Sequence, residues 1–168
     1  MRLDRYVRRC LNALCLTVLA ATAVCAADAL VAPVSRVEVV LADQYKSQVA
    51  ALREEFAQAG LLNVHFQFAK LGQPPQSIGL GCDVPAEQAR EAIRLAAKYS
   101  LGVGILLPDR LFPPRFVTIA SSNYDDTVEW PIGPAQLAQL QNPELTTAEF
   151  HRLYREFTSS SAELKGRY

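Results

Sequence analysis

The sequence has 168 residues, 17 basic and 17 acidic side chains, and four cysteines. This length suits one ordinary domain with its own hydrophobic core and is short for two. The balanced charge excludes the strongly basic surface that domains bound to nucleic acid or to anionic membranes use.

The first 26 residues have the pattern of an export signal. A segment with several arginines precedes an uncharged, mostly apolar stretch at 11–24, and Val24 to Ala26 completes the small-x-small pattern of a cleavage site. We therefore predict a signal peptide over residues 1–26 and a periplasmic or secreted protein, with Ala29 as the second choice of cleavage site. The alternative is an uncleaved inner-membrane anchor, although the apolar stretch falls short of the about 20 residues of a membrane span.

Removal of this segment leaves a mildly acidic chain with one thiol. Residues 27–168 keep 13 basic and 16 acidic side chains, a formal charge of −3, and only Cys82 among the cysteines. Because no internal disulfide can form, Cys82 is a buried thiol, a reactive thiol or half of an intermolecular bridge. The acidic balance predicts no nucleic-acid partner, and the mature form is predicted to have no membrane span.

Apolar periodicity predicts seven elements in chain order after an alanine- and proline-containing linker at 27–35. They are a strand at 36–42, a helix at 44–59, a strand at 62–71, a short strand at 77–81, a helix at 85–100, and strands at 103–109 and 115–121. Gly60 is predicted to end the first helix with a left-handed backbone. Asp83 is predicted to cap the second helix by accepting amide protons.

Two further helices are predicted after a polar loop, at 134–141 and 146–157. Thr146 and Glu149 match a capping box at the start of the second. The apolar face of this helix consists of Phe150, Leu153, Tyr154 and Phe157, and His151 is predicted at its boundary. Residues 159–168 lack periodicity and are predicted to be a flexible tail, so a single domain is predicted over 36–158.

This order of elements predicts an α+β fold. Up to the sixth element it is the βαββαβ order of ferredoxin-like domains, in which two helices cover one face of the sheet. Here an extra strand and the C-terminal helices follow. The alternative is a three-layer α/β fold with a doubly wound parallel sheet, because the two glycines in 77–81 weaken that strand.

Cys82 is the first candidate for chemistry, since it lies in a glycine-containing turn before a predicted helix. The partial positive charge at a helix N-terminus favours the nucleophilic thiolate. A catalytic thiol also needs a base, and His65 on a neighbouring predicted strand is the candidate. The competing interpretation, which we favour, is that Cys82 packs between strand and helix as a small apolar residue.

Gly79 and Gly81 match neither common phosphate-binding pattern. A dinucleotide-binding turn needs a third glycine where this chain has Val84, and the Gly-Lys-Ser/Thr ending of a nucleotide-triphosphate loop is absent. We predict that the glycines mark a bulge or tight bend and that no cofactor binds. We also predict no metal site, because the histidines are far apart and the acidic residues at 125–129 lack the spacing of a calcium loop.

Two connections combine aromatic residues with arginine or proline and are the predicted binding surface. They contribute Arg110, Phe112 and Arg115 in the first connection, and Tyr124 and Trp130 in the second. Such loops suit protein recognition. The aromatic residues could equally fold back to cover the ends of the sheet.

The favoured hypothesis is a non-catalytic exported domain that binds another protein or a component of the cell envelope. It depends on the single predicted domain and on these aromatic and arginine-bearing connections. The alternative is a thiol-dependent enzyme or redox protein that uses Cys82 with His65.

Overall fold

A computed structural model describes residues 34–70, 76–100, 102–120 and 132–165 of the chain. Within them, five strands form one mixed sheet accompanied by four α-helices. The strands are β1 (Arg36–Ala42), β2 (Val64–Ala69), β3 (Ser77–Leu80), β4 (Ile105–Leu107) and β5 (Phe116–Ile119). The helices are α1 (Val49–Gln58), α2 (Ala86–Tyr99), α3 (Pro134–Leu140) and α4 (Thr147–Lys165). This content confirms the predicted α+β class.

The strands lie in the order β2-β1-β5-β3-β4. β1 is parallel to both β2 and β5, and β3 is parallel to β4 but antiparallel to β5. Two adjacent parallel pairs, β1–β2 and β3–β4, are therefore each joined through a helix, α1 or α2, as parallel strands require a crossover connection. β5 lies between the two βαβ units and joins them.

The ferredoxin-like arrangement predicted from the element order is not confirmed. That arrangement splits its βαβ units, so that another strand lies between the two strands that a helix connects. β1 and β2 are instead direct neighbours, with Val37 beside Val64. Residues 77–80 do form a strand, and the antiparallel pairing of Ile78 with Ile119 excludes the wholly parallel sheet of the alternative fold.

Apolar side chains at alternate strand positions line the inner face of the sheet, defined here as the face that carries Val39. Strand register places Val39 between Phe66 and Ile119 on this face. Phe56 of α1 meets the Phe66 ring edge-on and stacks with Tyr99 of α2, with ring centroids 5.3 and 6.5 Å away. Both crossover helices therefore cover the inner face. Burial of each large apolar side chain there contributes about 1.5–3 kcal/mol.

Two predicted helix ends are confirmed. Gly60 follows α1 with a φ of 74°, the left-handed conformation that glycine adopts without steric cost. At the start of α4, Glu149 N donates to Thr146 Oγ1 at 3.3 Å and Thr146 N donates to Glu149 Oε2 at 2.9 Å. This is the reciprocal capping box that the sequence predicts.

The start of α2 differs from the prediction. Its N-cap position is Pro85, with no side-chain capping hydrogen bond, so Asp83 does not cap the helix. Ala86 N instead donates to Thr147 Oγ1 of α4 at 3.2 Å. The first turns of α2 and α4 are therefore joined by a tertiary contact that local sequence rules do not contain.

α4 is longer than the prediction and packs on the sheet through two fully buried rings. Phe150 and Tyr154 have no exposed surface, and their rings stack with centroids 6.3 Å apart. The helix continues to Lys165, past the predicted end of the domain at residue 158. The described residues from Val34 onward belong to one compact unit.

Candidate functional site

The turns that follow β3 and β4 lie at the same end of the sheet. β3 and β4 end there, whereas β1, β2 and β5, which run in the opposite direction, begin there. We call it the loop end of the sheet. It contains the turn with Cys82 and the β4–β5 connection, residues 108–115, with Arg110 and Arg115. Ser35 N donates to Arg115 O at 2.8 Å, which joins the start of β1 to this end.

The β4–β5 connection is fastened to the turn after β3. It begins with a 3-10 turn, Asp109–Leu111. Farther on, Pro114 O accepts a hydrogen bond from Asp83 N at 2.7 Å, and Phe116 O accepts one from Gly81 N at 2.8 Å. The backbone of the connection is thus held by hydrogen bonds near its end as well as by its own turn.

Gly79 and Gly81 allow the connection to lie directly on β3. A Cβ atom on Gly79 would be 2.3 Å from the Phe112 ring, and a Cβ atom on Gly81 would be 1.9 Å from the carbonyl oxygen of Pro113. The positive-φ glycines of the described chain are Gly60 and Gly102. The predicted tight bend is present after β3, where Val84 N donates to Gly81 O at 3.2 Å, whereas Gly79 lies within the regular strand. Both positions also require the absence of a side chain, because another segment packs on the backbone.

The outer surface of the connection is exposed and contains unpaired cations. Leu111 keeps 49% of its surface accessible, one of the largest values for an apolar side chain in the described chain. The guanidinium groups of Arg110 and Arg115 are exposed and have no ion-pair or hydrogen-bond partner within the described ranges. Asp109, in contrast, pairs with Arg155 of α4 at 3.3 Å.

The predicted binding residues fall into three groups. Arg110 and Arg115 lie exposed on the connection, as a binding surface requires. Phe112 is half-buried, and its ring stacks on Phe116 with centroids 5.7 Å apart. This ring supports the backbone of the connection on Gly79 and offers no freely exposed aromatic face. The remaining two, Tyr124 and Trp130, lie outside the described residues.

Cys82 lies at the loop end with its side chain exposed, so the prediction of a buried thiol is wrong. Local desolvation and the negative charges of Asp83 and Asp109 raise the pKa of the Cys82 thiol above its usual value. The thiolate is disfavoured as a result. This is the opposite of the helix N-terminus effect expected from the sequence, because desolvation and two nearby carboxylates both disfavour a negative charge on the sulfur.

His65 does not lie beside Cys82. It belongs to β2, and both β1 and β5 separate β2 from β3. At a strand spacing of about 4.8 Å, this order separates the backbones of β2 and β3 by about 14 Å across the sheet. The exposed imidazole has Glu38 as its cross-strand neighbour. The predicted thiol and base are therefore not brought together.

His151, predicted at the boundary of the last helix, is buried with 3% of its surface exposed. Its Nε2 donates to Val84 O at 2.7 Å, and its Nδ1 has no hydrogen-bond partner among the described residues. The imidazole thus fastens α4 to the turn after β3. Its position next to Phe150 on the apolar face is the one sequence signal that points to burial.

A polar cluster lies between α1 and α2, and no sequence pattern predicts it. The Glu55 carboxylate accepts hydrogen bonds from Lys98 Nζ, at 2.8 Å to each oxygen, and from the Tyr99 hydroxyl. Partial burial acts to raise the pKa of Glu55, but these hydrogen bonds and the charges of Lys98 and Arg94 lower it overall. The adjoining open cavity of about 430 Å³ is lined by Ala51, Glu54, Glu55, Gln58, Ala59, Glu91 and Arg94. Because the partly buried carboxylate is already paired, the cluster joins two helices.

The described part of the chain contains no group of three or more His, Cys, Asp or Glu side chains placed to hold a metal ion. Within the same part, no helix combines the length and apolarity needed to cross a membrane. No family model, curated protein or solved structure matches the chain.

Proposed function

We propose that this protein is a non-catalytic binding domain, exported to the periplasm or cell envelope, that contacts another protein or an envelope component through the β4–β5 connection. The observation that supports this proposal is that Leu111, Arg110 and Arg115 are all exposed on one short connection whose backbone is held by hydrogen bonds. The export part of the proposal rests on the pattern of residues 1–26, which lie outside the described residues.

The physical reason for assigning binding to the β4–β5 connection is that this connection is already ordered before a partner binds. A loop that must be ordered on binding loses affinity through the conformational entropy of its backbone and side chains. Hydrogen bonds to Gly81 and Asp83 and the packing of Phe112 on Gly79 already order the connection in the free protein. Arginine is enriched among interface residues that contribute most of the binding free energy, and an exposed leucine supplies apolar area to bury.

A photo-crosslinking residue at position 111 is expected to give a discrete adduct with the partner in living cells. The adduct is expected in the envelope fraction, where it is detected by its mobility and identified by mass spectrometry. Combining the probe with Arg110→Ala and Arg115→Ala is expected to lower the adduct yield about tenfold, because truncating an interface arginine commonly costs more than about 1 kcal/mol.

Ala97 is the matched control position for this probe. It is exposed in the last turns of α2, at the end of the sheet opposite the connection. Equal adduct yields at positions 97 and 111 would contradict a specific surface on the connection. An adduct confined to the cytoplasmic fraction would contradict export.

The second candidate function is the thiol-dependent enzyme or redox protein, which the exposure of Cys82 favours and its raised pKa disfavours. We expect slow alkylation of native Cys82 at neutral pH, followed by mass spectrometry. Asp83→Asn is expected to speed the reaction and to move its pH profile to lower pH, because loss of the negative charge lowers the thiol pKa.

Glu87→Gln removes a carboxylate from the first turn of α2 that is not among the groups acting on the thiol, and it should leave the rate unchanged. Alkylation of the wild-type protein that is faster than that of an unfolded control at neutral pH would favour the thiol function over the binding domain.

A further inference from the structure

β2 is an edge strand of the sheet that the described residues form, and β4 is at the other edge. Val37 N donates to Asn63 O, which fixes the alternation of hydrogen-bonding groups along the parallel β1–β2 pair. The backbone groups of His65 and Gln67 therefore face β1. Those of the alternate residues, Val64, Phe66 and Phe68, face outward.

The outward groups have no strand partner among the described residues. Val64 O alone has a side-chain donor, Arg53 Nη1 at 3.2 Å, and the Arg53 guanidinium lies 5.6 Å from the centre of the Phe66 ring. An unpaired edge strand accepts a further strand through its main-chain hydrogen bonds, and proteins often place a cation near such an edge. The edge is thus only partly protected.

We infer that this edge pairs with the β2 edge of a second copy of the chain, antiparallel and with the two-fold axis at Phe66. Val64, Phe66 and Phe68 are the outward residues, so a register centred on Phe66 pairs Val64 with Phe68 of the second copy and Phe66 with its own equivalent. Every outward residue then meets another outward residue. A shift by one residue would turn the apolar side chains to opposite faces, and a shift by two would leave outward groups unpaired.

The side chains in this register are mutually compatible. Phe66 and Phe68 are only partly buried in one copy, and they continue the apolar inner face into the second copy. On the outer face His65 meets Gln67, and neither carries a fixed charge. Leu62, 68% exposed beside the start of β2, meets the alkyl part of Lys70. No like charges lie opposite each other along the paired strands.

The area and charge of the edge predict a weak dimer. One strand pair with its flanking side chains is at the small end of protein interfaces, which corresponds to micromolar affinity. Formation of the pair also requires Arg53 to release Val64 O, and it brings two guanidinium groups toward the axis. The interface is self-complementary, as a closed two-fold dimer requires.

Sedimentation velocity of the purified protein tests this inference over loading concentrations from about 10 to about 500 µM, which bracket a micromolar Kd. Two matched double variants change only exposed outer-face positions. His65→Lys with Gln67→Lys places lysines opposite each other twice across the axis, whereas His65→Lys with Gln67→Glu places lysine opposite glutamate twice.

We expect the wild-type protein to show a monomer–dimer equilibrium. The dissociation constant of the Lys–Lys variant should exceed that of the Lys–Glu variant by about tenfold or more, since cross-strand charge pairs act at this range. Thermal unfolding at low concentration should show that both monomers are folded. A monomeric wild-type protein over the whole range, or a dimer that both variants affect equally, would overturn the inference.

Discussion

Gly81→Ala is expected to lower the free energy of unfolding by about 3 kcal/mol, because overpacking and the loss of tertiary hydrogen bonds add together. The new Cβ would lie 1.9 Å from Pro113 O and 2.5 Å from Pro114 O, which are backbone atoms of the β4–β5 connection. A side chain could rotate away, but this backbone is held by the hydrogen bond from Asp83 N to Pro114 O at 2.7 Å. Relief of the clash therefore requires the connection to leave β3.

Urea unfolding measures this effect, with a lowered midpoint and an unchanged slope. Gly133→Ala is the matched control, because its Cβ would have Gln136 Oε1 at 3.7 Å as its nearest neighbour. A change below about 1 kcal/mol is expected there, the cost of a less favourable N-cap residue. Gly81→Ala with wild-type stability would contradict the close approach of the connection to β3. The proposed binding surface would then lose its preorganised backbone as well.

Tyr154→Ala is expected to cost about 4 kcal/mol, and Tyr154→Phe about 1–2 kcal/mol. The ring is fully buried, and its hydroxyl lies 2.7 Å from Leu107 O and 3.2 Å from Ile78 O. Alanine removes the ring that packs α4 against β3 and β4. Phenylalanine keeps the ring but leaves these carbonyl oxygens without their donor. Urea or thermal unfolding separates the two contributions.

The burial of Tyr154 also predicts that the stability of the protein depends on pH. Burial raises the pKa of Tyr154 far above its usual value, so the folded protein keeps the phenol protonated where the unfolded chain ionises it. The unfolded state then binds fewer protons, and stability is lost as the pH rises above about 10. Tyr154→Phe should remove that part of the slope.

Arg152→Ala is the control on the same helix, since Arg152 is exposed and its ion pair with Glu156 is long, at 3.8 Å. Its effect on stability should be close to zero. An alkaline stability profile that is identical in the wild-type protein and the Tyr154→Phe variant would contradict the burial of an ionisable phenol under α4.

Local sequence patterns predict the elements of this fold well. β1 occupies the predicted residues, the stripe with Leu52 and Phe56 forms α1, and the capping box of Thr146 starts α4. These features depend on periodicity and on neighbouring residues, which a single sequence contains. The strand order depends on which distant segments pair. The ferredoxin-like prediction failed to be confirmed for that reason.

In the candidate site, too, local sequence patterns predict some features, whereas others depend on packing between distant segments. Arg110 and Arg115 are exposed, as a chain segment rich in arginine and proline suggests. The role of Gly81 is visible only once the connection lies on β3, because Pro113 is distant in the chain. The exposure of Cys82 and the full burial of His151 likewise depend on packing between segments, whereas the sequence predicted a buried thiol and a histidine at the helix boundary.

The position of β5 determines when the sheet can be completed. β5 is the last strand of the described sheet along the chain, yet it lies at the centre and is the hydrogen-bonded link between β1 and β3. A chain that emerges N-terminus first from a ribosome or an export channel can assemble each two-stranded half early. The halves keep bare edges until residues 116–119 arrive, and closure over such sequence distances is slow. Completion of the sheet therefore waits for a segment of 4 residues.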